Sequence, residues 1–224
     1  MGDFLTVLGE YDVIAAYWVN IRLTLLAGLF ALLIGTVLAM FRISPIPSLR
    51  LTGTAYVNIV RNTPLTIIIV FGIAVLWPVL GLQFSETFDI NFFWLAVVGL
   101  TVYHAAFVCE ALRSGVNTVP QGQAEAARAI GLPFMASARL VILPQAFRGA
   151  IAPLGNVLIA LIKNTTVAAT GSVAEVSLLM KEMVENESNY VYPIFLTIAV
   201  GFVIIVIPVG LLATYLSKRL AVAR

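Results

Sequence analysis

The chain has 224 residues, 61% hydrophobic and 11% charged, with a mean hydropathy of +1.02 and a formal net charge of +2. Soluble domains carry roughly a quarter charged residues, so this composition excludes a soluble enzyme and points to an all-α integral membrane protein. One cysteine, Cys109, excludes an internal disulfide framework and a multi-cysteine metal site, and no nucleic acid is expected among the partners.

A bilayer core of about 30 Å takes about 20 mainly apolar residues per helix, which leaves room for about five spans. Residues 1–224 therefore read as a single transmembrane domain. Met1–Tyr17 hold Asp3, Glu10 and Asp12 and no base, unlike the basic start of a cleaved signal peptide, so the first apolar run is expected to be retained. That run, Trp18–Phe41, carries Ala27, Ala31, Gly35 and Ala39. Small residues at every fourth position let another helix approach closely in lipid, although they are also common in membrane helices generally. Further runs cover Ala55–Leu80, Phe92–Leu112, Ala150–Val176 and Tyr192–Leu216. Prolines at 64, 78, 153, 193 and 208 lie within or near them. Each removes a backbone donor and favours a kink or break, which lipid tolerates only where protein or a cavity re-satisfies the backbone.

Charge gives the direction, because cytoplasmic loops hold the excess Lys and Arg. Arg42 and Arg50 follow the first span; Arg113, Arg128, Arg139 and Arg148 follow the third; Lys218, Arg219 and Arg224 end the chain. With five spans, all of these fall on one side. Asp3, Glu10, Asp12, Glu86, Asp89, Glu175, Glu182, Glu185 and Glu187 fall on the other, with Lys181. The N-terminus is expected outside and the C-terminus inside. In the outer loop, Ser177–Tyr190 mixes apolar and charged residues and is expected to lie as an amphipathic segment in the membrane interface.

The longest inner loop, Arg113–Arg148, reads as a short helix between two breaks. Thr118-Val119-Pro120-Gln121 fits a capping box, with proline in the first turn. Gln123–Ile130 consists largely of good helix formers, Gly131 suits the left-handed position that ends a helix, and Pro133 prevents continuation. Such a helix, with Ala124, Ala127 and Ile130 on its apolar face, is too short to be stable unless docked. It either inserts into a groove on another protein or lies on the membrane surface.

Gly122-Gln123-Ala124-Glu125-Ala126-Ala127, then Gly131, then Ile142-Leu143-Pro144 resembles the cytoplasmic loop of the transmembrane subunits of ATP-binding-cassette importers. Arg61-Asn62-Thr63-Pro64-Leu65 and Lys163-Asn164-Thr165-Thr166 are similar to segments of the polar amino-acid branch of that family. The overall texture, over about residues 18–216, is most like the actinobacterial glutamate uptake permeases. The resemblance implies a short cytoplasmic coupling helix between spans three and four, with Glu125, Ala126, Ala127 and Gly131 receiving motion from an ATPase. This chain lacks a Gly-x-x-x-x-Gly-Lys-[Ser/Thr] loop, so it is not expected to be an enzyme and ATP hydrolysis would fall to a partner homodimer. The resemblance also implies a second permease subunit (a paralogue or a copy of this chain), an extracytoplasmic solute-binding protein, no cofactor, and a multi-pass place in a bacterial cell membrane. The small-residue stripe of span one is a candidate for packing on that second permease. A secondary amino-acid transporter or channel, needing no ATPase, is the alternative.

An amino acid presents carboxylates and an ammonium, and Lys163, Asn164, Thr165 and Thr166 supply cationic and amide donors with hydroxyl acceptors in an otherwise apolar run. These residues are the candidate substrate-binding set, with Arg61 the second cation. Alternatively, Lys163 snorkels to the outer face and Arg61 makes a structural pair with Glu110. His104 and Cys109 lack the surroundings of a catalytic pair, so no catalytic residue and no metal ligand is assigned.

Overall fold

The computed structural model describes residues Gly2–Leu220, with side chains from Phe4 onward; the side chain of Asp3 and the whole of Arg224, counted above, lie outside the described residues. A short helix α1 (Gly2–Glu10) precedes α2 (Val13–Ile43) and α3 (Pro47–Arg61), and α4 (Leu65–Phe71) runs into a π turn, Gly72–Leu76. After a loop come α5 (Phe88–Val116), α6 (Gln121–Ala129), α7 (Phe134–Ser137), a second π turn at Ala138–Ile142, and α8 (Leu143–Gly149). α9 (Ile151–Asn164) tightens into a 3-10 helix, Thr165–Gly171, before α10 (Val176–Asn186), a 3-10 turn at Ser188–Tyr190 and α11 (Val191–Leu220). The all-helical expectation holds, with no strand among the described residues.

Four stretches, Val13–Ile43, Phe88–Val116, Ile151–Gly171 and Ser188–Leu220, are each long and apolar enough to cross a membrane. The expected second span, Ala55–Leu80, is not one continuous helix. It is the pair Pro47–Arg61 and Leu65–Leu76, bent by 99° at the intervening residues. Pro64 cannot donate to the ladder, and it pushes the residue before it out of the α region. The carbonyls freed at the break find local partners: Asn62 Nδ2 donates to Asn58 O at 2.7 Å and the Thr63 hydroxyl to Ile59 O at 2.9 Å. Pro78 and Pro144 act differently. Each stands two residues beyond a π turn, Gly72–Leu76 and Ala138–Ile142 respectively. Widening the helix by one residue per turn keeps the proline ring off the carbonyl four residues back. Pro153 sits in the first turn of α9, where a missing N–H matters little, and Pro208 lies inside α11 without ending it.

The chain divides into two compact units. The first takes the chain up to Gly28, then Pro64–Thr101 and Ala160–Pro208. One of its cores is Ala16, Val176 and Ile198, covered by Tyr17, Leu179, Met180 and Phe202. α10 buries Val176 and Met183 of its amphipathic face against protein. Its neighbours there are α2 and α11, which supply Ala16 and Ile198 to the same core.

The second unit takes Leu29–Thr63, Val102–Ile159 and the chain from Val209 onward. Within it Gly35 packs on α5 so closely that an added Cβ would lie 2.6 Å from Val108 Cβ and 2.8 Å from Ala105 O. Ala31 and Ala39 are buried as well, and so is Ala27 in the first unit. The small-residue stripe is therefore spent inside this chain and is not free to pack on a second permease. Helix–helix approach in lipid needs small residues whichever helix approaches, so the stripe could not identify its partner. Every base except Arg22, Lys163 and Lys181 falls in segments of the second unit. Every acid except Glu110 and Glu125 falls in segments of the first.

Candidate functional site

In the second unit, α5 hands over to the loop through tight packing. A Cβ on Gly115 would collide with the Ala146 carbonyl and lie 2.9 Å from Ala150 Cβ, so α5 and α8 touch backbone to backbone. The Thr118 hydroxyl donates to Gly115 O at 2.7 Å and closes the end of α5. It does not cap α6, whose N-cap is Pro120 with no side-chain hydrogen bond. The expected capping box is thus absent, because the hydroxyl is already engaged by the preceding helix. The end of α6 is as expected. Gly131 has φ +82°, its N–H bonds Arg128 O at 2.9 Å, and the Leu132 N–H bonds Ala127 O at 3.0 Å. Those two bonds make a Schellman motif, with Pro133 beyond it.

Within α6, Glu125 and Ala126 are exposed, while Ala127 is buried toward the loop, where α6 packs on α7 and the Ala138–Ile142 turn. The expected apolar face therefore divides. Ala127 anchors the helix at home, and Ile130, 77% exposed, faces outward with Met135 and Leu140 of the same loop. Leu143 and Ala146 fix α8 from below.

Beside this loop in the same unit, three arginines converge on one carboxylate. Arg42 of α2 pairs with Glu110 Oε1, Arg113 with Oε2 at 3.0 Å, and Arg61 of α3 with Oε1 at 3.7 Å. Arg61 also stands over the Phe107 ring, 5.6 Å from its centroid. The structural pairing of Arg61 with Glu110 is thus present, and two further guanidiniums on Glu110 went unforeseen. Cys109 is buried beside Arg42 as a packing residue.

In the first unit, Lys163 lies exposed in the last turn of α9, and Asn164 and Thr166 are half-buried. Three hydroxyls follow the helix as it tightens: Thr165, Thr166 and Thr170 donate to the carbonyls of Ile162, Lys163 and Val167 at 2.7–2.8 Å. Thr165 is fully buried and also accepts from Asn20 Nδ2 at 2.9 Å. The same Asn20 nitrogen donates to Glu175 Oε2 at 2.8 Å, and Asn20 Oδ1 accepts from the Val176 N–H. Glu175 Oε1 in turn caps α10, accepting from the Ser177 and Leu178 N–H groups. Burial pushes the Glu175 carboxyl above its ordinary range, opposed by hydrogen bonds from Ser177, Asn20 and Leu178.

Sequence reasoning missed this Asn20–Thr165–Glu175 cluster. A lone asparagine inside an apolar run was the available signal, and a wholly buried glutamate was counted with the loop acids. The first unit thus holds Lys163, Asn164, Thr165 and Thr166 on one turn, and the second holds Arg61, Glu125, Ala126, Ala127 and Gly131.

Residues 31–222 match the family described as binding-protein-dependent transport system inner membrane component. The glutamate transport system permease protein GluC of Corynebacterium glutamicum is 50% identical over 218 residues, covering 95% of this chain and 96% of its own. The probable glutamine ABC transporter permease protein GlnM of Bacillus subtilis is 34% identical over 218 residues, covering 94% and 95%. A solved structure of an amino acid ABC transporter with histidines matches with a TM-score of 0.81 at 24% identity, over 96% of this chain and 98% of that one. At that identity the likeness shows the fold.

Proposed function

This chain belongs to the family of binding-protein-dependent transport system inner membrane components, and on that premise we propose that it carries glutamate inward, driven by ATP hydrolysis in a separate homodimeric subunit. The observation that carries the reading is α6: an exposed two-and-a-half-turn helix, stopped by Gly131 and held through buried Ala127 against α7 and the Ala138–Ile142 turn, beside the close α5–α8 contact at Gly115 and Ala146. A helix so stopped and so anchored transmits a push without dissipating it. Glu125 and Ala126 meet the ATPase, joined by Ile130, while Ala127 and Gly131 hold the helix in shape. The glutamate assignment rests on the half-identical Corynebacterium relative.

The bases gathered after the first and third spans and at the C-terminus, with the acids mostly in the remaining loops, support an outward N-terminus in a bacterial cell membrane. Lys163, Asn164 and Thr166 serve the cargo directly, Lys163 taking a carboxylate. Thr165, tied to Asn20, fixes the turn on which they sit. Arg61 adds positive charge along the path while anchored to Glu110. A solute-binding protein delivers glutamate from outside, a second permease subunit completes the path, and alternating access follows ATP-driven closure of the ATPases.

Purification of the tagged chain from native membranes tests the coupling. Wild type is expected to bring down an ATPase and Glu125→Arg to lose it; wild-type chain recovered alone in an intact complex would point to a secondary transporter instead. In reconstituted vesicles, ATP-dependent glutamate uptake is expected to fall at least about tenfold in Lys163→Ala, from loss of one charge-assisted hydrogen bond. Unchanged rate and preference would remove Lys163 from the cargo site.

A further inference from the structure

The first unit contains a cavity of about 430 Å³ lined by Arg22 and Leu26 of α2, Asp89, Phe93 and Trp94 of α5, and Val173 among others. We infer that it binds the head group of an aminophospholipid, with Arg22 on the phosphate and Asp89 on the ammonium. The inference requires only that the chain is embedded in a membrane, and it stands apart from the cargo segment at Lys163.

Arg22 lies nine residues beyond Val13, about 13.5 Å along the helix axis. Its guanidinium carbon stands 5.3 Å from the centroid of the Phe93 ring, and it makes no ion pair among the described residues. A cation inside an apolar helix is costly unless an anion joins it. Asp89 shares the cavity without pairing to Arg22. One positive and one negative group lining the same cavity without an ion pair between them match the charges of a single zwitterionic head group. The volume lies in the roughly 300–1,000 Å³ range of sites that take a whole small molecule.

The surroundings select a lipid over a dissolved solute. Ile14, Trp18, Arg22, Leu25 and Leu29 recur at spacings of three and four, so they lie on one side of α2. Apart from Arg22 these are large apolar side chains, all exposed. Phe88 and Ile90 at the start of α5 are exposed as well. The helices that line the cavity thus also carry exposed side chains suited to acyl chains. Trp18 and Trp94 are of the type that settles at head-group level. A glutamate could set its ammonium on Asp89 and one carboxylate on Arg22, but its second carboxylate would find no other cation in this lining.

The test uses the full chain with its co-purifying subunits, exchanged into vesicles of equal phosphatidylethanolamine and phosphatidylglycerol, extracted mildly and weighed by native mass spectrometry. Wild type is expected to retain phosphatidylethanolamine about tenfold over phosphatidylglycerol, the worth of one charge-assisted contact. Arg22→Gln should lose both lipids, whereas Asp89→Asn should keep a lipid and lose the preference. Excess phosphoethanolamine should displace the lipid and excess glutamate should not; displacement by glutamate would make the cavity a solute site and overturn the inference. Equal retention of both lipids by wild type, or undiminished retention in Arg22→Gln, would overturn it too. Should Arg22→Gln fail to fold, Asp89→Asn decides, since an unchanged preference there refutes the head-group assignment.

Discussion

Glu110 holds three guanidiniums, and the structure ranks them. The side chains of Arg42 and Glu110 are 12% and 22% exposed, so their contact is largely out of solvent. A hydrogen bond to a charged group in such a place contributes about 1.5–3 kcal/mol. Arg61 and Arg113 are 45% and 46% exposed, and pairs so open to solvent contribute about 0.2–1 kcal/mol each. Glu110→Gln keeps one acceptor oxygen but removes the charge, so a net destabilisation of about 2 kcal/mol is expected. A double-mutant cycle separates the arms: Arg42→Gln with Glu110→Gln should show a coupling above about 1 kcal/mol, and Arg113→Gln with Glu110→Gln below about 0.5 kcal/mol. Unfolding in detergent, followed by tryptophan fluorescence, supplies the free energies. Equal couplings, or an Arg42 coupling indistinguishable from zero, would refute the claim that burial decides which arginine matters.

Gly122 in the first turn of α6 and Gly131 just beyond its end should respond to alanine with opposite signs. Gly131→Ala forces a side chain to φ +82°, costing about 1–2 kcal/mol and speeding amide exchange in the last turn of α6. Gly122→Ala meets no atom within 4 Å and should slow that exchange by up to about 1 kcal/mol of added helix stability. Glu175, between the spans Ile151–Gly171 and Ser188–Leu220, gives a pH dependence. Its folded carboxyl is raised above the ordinary 4.5, so the folded state holds the proton more tightly than the unfolded chain. Its contribution is complete below that value and is lost as pH rises from there through the folded pKa. The unfolding midpoint of wild type relative to Glu175→Gln should therefore decline over that interval, and parallel curves would refute the assignment.

Residue patterns made much of the fold legible. Apolar runs long enough for a bilayer gave the helical class, and four of the five expected spans appear as long helices. Gly131 followed by Pro133 gave the end of α6, because a left-handed residue and a missing N–H are properties of single residues. Where a residue had a choice of partners, the sequence alone could not choose. Thr118 had two helix ends within reach and bonded to the earlier one. Pro64 and Pro208 carry the same chemistry, yet one breaks a span and the other sits inside α11.

The candidate sites show the same division. The Arg61–Glu110 pair was foreseeable, since a cation in an apolar helix needs an anion and few were at hand. That Arg42 would take the better-shielded position depended on α2 meeting α5 in the second unit, and that Asn20 would tie Thr165 to a buried Glu175 depended on residues more than a hundred positions apart meeting in the first. Likewise the stripe of Ala27, Ala31, Gly35 and Ala39 announced close packing without naming the neighbour. By itself the sequence determined which groups must avoid lipid, which helices are apolar, and where the backbone must turn, because those follow from the side chain and its immediate neighbours. Only the tertiary structure decided who satisfies whom, because a buried donor is indifferent to where along the chain its acceptor comes from.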